Sequence, residues 1–240
     1  MKLFSLSFSA PSAHTTPTAS SPSLSTEPPN TFALPQEVRT LFRILHPKKE
    51  KKIKLMSKTG TGAFKLGVNY APGILPQKEA AKQGYAQNLW LHGPEHLLTE
   101  VGTMNMFVVF RKPDGSHELV TPPLDGMILP GVTRDSVLTL AREHNSGKYT
   151  IPGLPANLTV SERPVSMKEV KEASLNGSLV ELFGAGTAAV ISPVDKIGYL
   201  GEDVHVPTGP DGMGPISRPI WKELVGRQTG AIKSDWSVVI

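Results

Sequence analysis

Residues 105–124, NMFVVFRKPDGSHELVTPPL, are the stretch that most restricts the fold of this 240-residue chain. Two runs rich in β-branched and aromatic residues flank Pro113-Asp114-Gly115. Proline presets φ, aspartate can bond the backbone just ahead of it, and glycine accepts positive φ, so the pattern predicts an antiparallel hairpin. Further elements follow on either side. PQKEAAKQGYAQ (76–87) reads as a helix with proline at its start and Gly84 near its end. NLWLHG (88–93) reads as a short buried strand. TRDSVLTLAREH (133–144) is an amphipathic helix with Thr133 as N-cap and His144 in its last turn. NLTVSERPV (157–165) alternates as a strand, and SMKEVKEASLNG (166–177) is a capped helix ending toward Gly177. Residues 180–207 read as three short strands joined by glycine turns, and 215–230 contain a last helix. Strands and helices mix without a strict βαβ repeat, so the predicted class is α+β.

The amino-terminal quarter has a different character. Its first thirty residues hold eight Ser, four Thr and five Pro, too polar to offset the entropy of ordering, and are read as disordered. QEVRTLFRIL (36–45) carries helical spacing at Val38, Leu41, Phe42 and Leu45, and HPKKEKKIK is a charge run without a core face. Residues 1–59 contain nine basic and three acidic residues, a net of +6, against +4 for the whole chain, so residues 60–240 carry −2. The basicity thus belongs to a leader, residues 1–59, and the domain from 60 to 240 is slightly acidic. This argues against nucleic acid as a partner. With no cysteine there is no disulfide framework, thiolate metal site or cysteine nucleophile. No apolar run approaches the ~18 residues of a membrane-spanning helix, so no membrane partner is expected.

Several apparent motifs dissolve on inspection. TGTGAFK lacks the spacing of a phosphate-binding P-loop, because Phe64 precedes Lys65. The histidines of HGPEH are four apart, but Pro94 breaks the helix that would align them and a third ligand is missing, so no metal site is expected. Four features remain. Lys65 lies in FKLGVNY, where strand alternation would set it on the face opposite Phe64 and Leu66. It could be an ordinary edge lysine or an amine held in a pocket. Glu100 is one acid among apolar neighbours just before the hairpin. LPGVTRDS (129–136) feeds a Pro-Gly turn into a helix start, and FGAGT (183–187) is a glycine turn ending in threonine; backbone amides gather around phosphate at such places. An amine for a Schiff base, a carboxylate for a ring nitrogen, the Tyr70 phenol for a ring oxygen and two amide nests are together the anchoring set for pyridoxal 5'-phosphate.

At this point the chain resembles a known family. FKLGVNYAP, LWLHGPEHLLTEVGTMNMF, ELVTPPLDGMILPGVTRDSV, VSERPVSM and ELFGAGTAAVISPV are similar, in order and spacing, to the branched-chain amino-acid aminotransferases of the fold-type IV pyridoxal-phosphate class. The class-wide pattern of Glu100, Gly102, Asn105, Phe107, Thr121, Gly131, Val132 and Arg134 is complete. The resemblance implies a fold-type IV large domain, a mixed sheet or pseudo-barrel with flanking helices. It implies a lysine–cofactor aldimine at Lys65, which also shuttles the proton, and Glu100 on the pyridine nitrogen. Tyr70 would bond the phenolic oxygen and border the substrate. Val132, Thr133 and Thr187 would hold the phosphate, with Thr103 and Ala188 near the substrate carboxylate. The implied reaction exchanges an amino group between leucine, isoleucine or valine and 2-oxoglutarate, in a homodimer, in cytoplasm or mitochondrion. Two departures accompany it. The Cys-x-x-Cys redox pair of some relatives falls on Ala189 and Ser192. Residues 1–59 do not resemble the small domain that precedes the lysine segment in the family. The alternative expectation is therefore a remnant that keeps the large-domain fold without efficient transamination. EVGTMNMF and TPPLDGMILPGV favour the branched-chain group over relatives acting on D-amino acids or aminodeoxychorismate.

Overall fold

The computed structural model describes residues 40–43, 61 and 63–237. The expectations for residues 1–39 and 44–60 lie outside these. In chain order the elements are β1 (Thr40–Arg43), α1 (Gly67–Tyr70), a 3-10 turn (Ala71–Gly73), α2 (Ile74–Lys82), β2 (Gln87–His92), β3 (Leu97–Val101), β4 (Met104–Arg111) and β5 (His117–Thr121). There follow α3 (Val132–Asn145), β6 (Leu158–Glu162), α4 (Met167–Asn176), β7 (Leu179–Gly186), β8 (Val190–Tyr199), β9 (Glu202–His205) and α5 (Ser217–Gln228). The class is α+β, with one mixed nine-stranded sheet among the described residues.

The strand order β3-β2-β1-β8-β7-β4 closes on itself because β4 also pairs with β3, while β5 and β6 extend from β4 and β9 from β8. The sheet therefore curls into a barrel-like ring. Strand β1 joins β2 and β8, parallel to both, with Phe42 opposite Gln87 and Ile197. Helical spacing in QEVRTLFRIL predicts a helix here, and the structure has a strand instead. Propensity over so few residues is a weak force, and two strand edges offering unpaired N–H and C=O groups outweigh it.

The hairpin forms as its sequence predicts. Val108 faces Val120 and Arg111 faces His117. The turn is held by Lys112 N–H to Ser116 O at 2.8 Å and by Ser116 N–H to the Asp114 carboxylate at 2.9 Å, with Gly115 at φ 80°. β4 is buried on both faces, and its alternation sorts two cores. Met106, Val108 and Phe110 pack toward α4 through Met167, Val170 and Ala173. Phe107 and Val109 pack toward α3 and α5 through Val137, Leu138, Leu140, Ile220 and Leu224, with Phe107 stacked on Phe183 at 5.1 Å between ring centroids. Each fully buried aliphatic or aromatic side chain contributes about 1.5–3 kcal/mol.

The helices have local causes. α2 starts two residues earlier than predicted and ends at Lys82; Gln87 already belongs to β2, because Gly84 at φ 80° turns the chain. Pro76 sits in the first turn of α2, where its missing N–H costs nothing. α4 has Ser166 accepting from Glu169 N–H at 3.1 Å and ends on Gly177 at φ 75°. α5 is capped from another element: buried Glu181 of β7 accepts Ile216 N–H at 2.6 Å and Ser217 N–H at 3.1 Å, and also the Ser217 hydroxyl.

Candidate active site

The Lys65 segment is not a strand. Phe64 N–H bonds Thr61 O at 3.0 Å and Leu66 N–H bonds Phe64 O at 3.0 Å, a tight bend leading into α1. Its clamp is Asn69, buried at the base of the bend. Asn69 Nδ2 donates to Thr61 O at 2.9 Å and Phe64 O at 2.8 Å, and Oδ1 accepts the Thr61 hydroxyl at 2.7 Å. These bonds occupy carbonyls that a ladder would need, so the expected alternation fails. Phe64 (62% exposed), Lys65 and Leu66 all reach solvent together. Tyr70 closes α1, and its hydroxyl oxygen is buried without a hydrogen-bond partner.

Glu100 lies in β3, just before the buried strand β4 as its sequence context predicts, 3% exposed and directly opposite Asn105 across the β3–β4 turn. Its Oε1 accepts Leu129 N–H at 2.9 Å; its Oε2 is buried without a partner. Burial lifts the carboxyl to about 7, against the lowering effects of the Leu129 N–H and of the Lys65 charge. The Tyr70 phenol is raised too, first by burial and then by the Glu100 charge. Glu100 is thus coupled electrostatically to both Tyr70 and Lys65, which come from other segments.

A second group forms at the start of α3. Asn105 Nδ2 donates to Leu129 O at 2.8 Å, and Gly131 N–H bonds the same oxygen at 2.8 Å. A side chain at Gly131 would collide with Asn105 Oδ1, which is the local reason for glycine there. Gly131, not Thr133, is the N-cap, and no side chain caps the helix. Val132 (81% exposed) and Thr133 are its first two residues, so their amides belong to the unsatisfied first turn and its partial positive charge.

Thr187 and Ala188 lie in the exposed turn between β7 and β8, and Thr103 lies in the exposed turn between β3 and β4. β7 pairs antiparallel with β4, Asn105 opposite Ala185, so both turns stand at the sheet end that carries Glu100. The glycines of FGAGT are strand residues. A side chain at Gly184 would come within 2.9 Å of Val101 Cγ1, and one at Gly186 within 2.9 Å of Met104 Cγ. They let β7 press against the β3–β4 turn rather than form a nest by themselves. Val190 closes this turn at φ 56°, a conformation that strains a β-branched residue by about 1–3 kcal/mol and persists only where the surroundings enforce it.

Sequence reading missed Asn69 and gave Asn105 no task. Asn69 had a signal, since an asparagine two residues after glycine in a turn-forming stretch is a common backbone clamp. Asn105 stood in the class-wide pattern, but its task was hidden, because its partner Leu129 is 24 residues away.

A closed mixed sheet carries at one end a buried acid tied to an uncapped helix start, with the Lys65 charge acting on that acid, and this suits the class IV aminotransferases. The chain belongs to that family: the family model described as "Amino-transferase class IV" matches residues 9–197. It is 52% identical over 182 residues to the mitochondrial branched-chain-amino-acid aminotransferase of Schizosaccharomyces pombe, covering 75% of this chain and 40% of that protein. It is 48% identical over 184 residues to the cytosolic enzyme of Saccharomyces cerevisiae, covering 75% and 47%. The chain spans less than half the length of these curated relatives. Among solved structures it is similar to the branched-chain amino acid aminotransferase from Escherichia coli (27% identity, TM-score 0.56, 84% of this chain and 56% of that one). It is likewise similar to the enzyme of Thermobaculum terrenum in its PLP form (25% identity, TM-score 0.56, 80% and 52%).

Proposed function

We propose that residues 60–240 form the cofactor-bearing domain of a branched-chain-amino-acid aminotransferase, exchanging an amino group between leucine, isoleucine or valine and 2-oxoglutarate. The observation that carries this reading is the pair of buried, unpartnered polar atoms, Tyr70 Oη and Glu100 Oε2, with the Tyr70 phenol and the Lys65 amine each coupled to the Glu100 charge. Buried polar atoms ordinarily have partners, and two orphans beside an exposed amine mark a site shaped for a polar ring.

The residues fit pyridoxal 5'-phosphate. When bound, this group supplies an aldehyde that condenses with amines and a ring that accepts the electrons of an amino acid's Cα–H bond. Lys65 would hold it through Nζ and later carry the proton to and from the substrate Cα. Glu100, through Oε2, would keep a proton on the ring nitrogen. Tyr70 would donate its phenolic proton to the ring oxygen and border the substrate. The amides of Val132 and Thr133, with Thr187, would meet the phosphate, where the start of α3 favours negative charge. Thr103 and Ala188, in the two adjoining turns, would orient the substrate carboxylate.

A second reading keeps the fold and the cofactor site without efficient turnover. It is favoured by the exposure of Phe64, Lys65, Leu66 and Val68, which leaves the lysine open to water. A homodimer is part of the first reading, as is a cytosolic or mitochondrial location, the two compartments named among the relatives.

The deciding experiment mixes the purified chain with pyridoxal 5'-phosphate. A visible absorption band absent from Lys65→Ala supports the site, and the same band in that variant removes Lys65 from it. Amino transfer from leucine to 2-oxoglutarate, assayed on the same sample, separates the two readings. Light scattering on the loaded and unloaded chain tests the dimer.

A further inference from the structure

The strongest unassigned relationship lies between the two ends of the candidate site. Glu100 and Asn105 are directly paired across a two-residue turn, so their side chains leave the same face of the β3–β4 hairpin. Each holds one backbone group of Leu129: Glu100 accepts its N–H at 2.9 Å and Asn105 donates to its C=O at 2.8 Å. Gly131 N–H joins that carbonyl at 2.8 Å, and Gly131 lies so close under Asn105 Oδ1 that no side chain fits. One residue later α3 begins, uncapped. Both paired side chains are nearly inaccessible, Asn105 at 5%, so water does not compete for these bonds.

We infer that Asn105 is a positioning residue: by locking Leu129 and Gly131 it holds the free oxygen of Glu100 and the free amides of α3 at one separation, matched to the ring nitrogen and the phosphate of a single phosphorylated pyridine. This rests on the proposed cofactor reading and adds to it a residue that need touch neither end of the ligand. The chemistry requires an amide. A donor must reach the Leu129 carbonyl, and an uncharged oxygen must lie against the Gly131 backbone, opposite a carboxylate. A second acid at this position would repel Glu100 and the carbonyl alike.

The test compares two probes, pyridoxal 5'-phosphate and pyridoxal, which share the ring and the aldehyde and differ in the phosphate. Affinities are read from the Lys65-dependent visible band in the parent chain, Asn105→Ala, Asn105→Leu and Gly131→Ala. The parent prefers the phosphorylated probe. All three variants lower that preference by about tenfold or more, the worth of one charge-assisted hydrogen bond. Val170→Ala, in the core toward α4, loses thermal stability and keeps the preference. A second measurement needs no cofactor: the Glu100 carboxyl is titrated by carbon NMR, assigned with Glu100→Gln. Its midpoint rises in Asn105→Ala and Asn105→Leu, because the Leu129 N–H that lowers it is no longer held in place. An unchanged probe preference or an unchanged midpoint in the Asn105 variants overturns the inference. If the parent shows no Lys65-dependent band with either probe, the cofactor reading fails, and the Glu100 midpoint alone decides whether Asn105 braces this segment. Should the Asn105 variants not fold, Gly131→Ala, which drives the same contact apart from the other side, decides between the two outcomes.

Discussion

Glu100 and Asn105 face each other across the β3–β4 turn and grip the two backbone polar groups of one distant residue, Leu129. A hairpin thereby sets the position of a helix start well beyond it along the chain. The acid's second oxygen remains buried and unpartnered, and its proton affinity is correspondingly high.

That affinity makes stability depend on pH. Glu100 titrates at about 7 in the folded chain, against an ordinary 4.5. Below the lower value both folded and unfolded states are protonated and the residue has no effect. As pH rises past it the unfolded chain ionises while the native state keeps its proton, so stability falls until about pH 7 and then levels. The loss amounts to about 3 kcal/mol. In Glu100→Gln the loss disappears. The melting temperature of the cofactor-free variant, relative to the parent, therefore climbs between pH 5 and pH 8. A flat difference would show that Glu100 titrates normally.

Tyr70 has the signature of a group kept for a ligand. Its hydroxyl is buried without a partner, so Tyr70→Phe leaves the cofactor-free chain as stable as the parent or raises stability by up to about 1 kcal/mol. The same substitution weakens pyridoxal 5'-phosphate binding about tenfold, the usual worth of one hydrogen bond to a charged or polar ligand atom. Denaturation and absorbance titration on one preparation measure both, and a variant that loses stability without losing affinity contradicts this assignment.

The start of α5 depends on a carboxylate from β7. A side chain at Gly214 would overlap the Glu181 carboxyl group, which holds the Ile216 and Ser217 amides. Gly214→Ala is therefore expected to cost about 2–4 kcal/mol, combining overpacking with the loss of buried hydrogen bonds. Urea denaturation reads it. Gly147→Ala, at positive φ but with open space around it, costs only about 1 kcal/mol.

The two ends of α4 give an additive pair. Ser166→Ala removes the bond to Glu169 N–H, and Gly177→Ala places a side chain on a residue at φ 75°. Each costs about 1 kcal/mol, and the double variant about 2, because the sites share no partner. A double variant no worse than either single one would mean that α4 frays as a unit.

Local elements were legible where the chemistry is local. Pro113-Asp114-Gly115 specified the hairpin turn, and Ser166 and Gly177 bounded α4. Thr133 was the expected N-cap of α3 by residue type, yet Gly131 takes that position, because Asn105 and the Leu129 carbonyl draw the chain into its turn earlier. Lys65 was expected on a strand, and Asn69 bent the segment instead. Strand β1 went to the sheet against its helical spacing.

The amino-acid order by itself determined the hairpin turn, the caps of α4, the α+β class and the family, since these depend on residues close together along the chain or on a pattern of residue types. Only the folded chain decided that Glu100 keeps one oxygen free, that Tyr70 and Lys65 lie within reach of its charge, and that Asn105 ties this acid to the start of α3. Those properties depend on exclusion of water and on contacts between segments far apart in sequence, and both come into existence when the sheet closes.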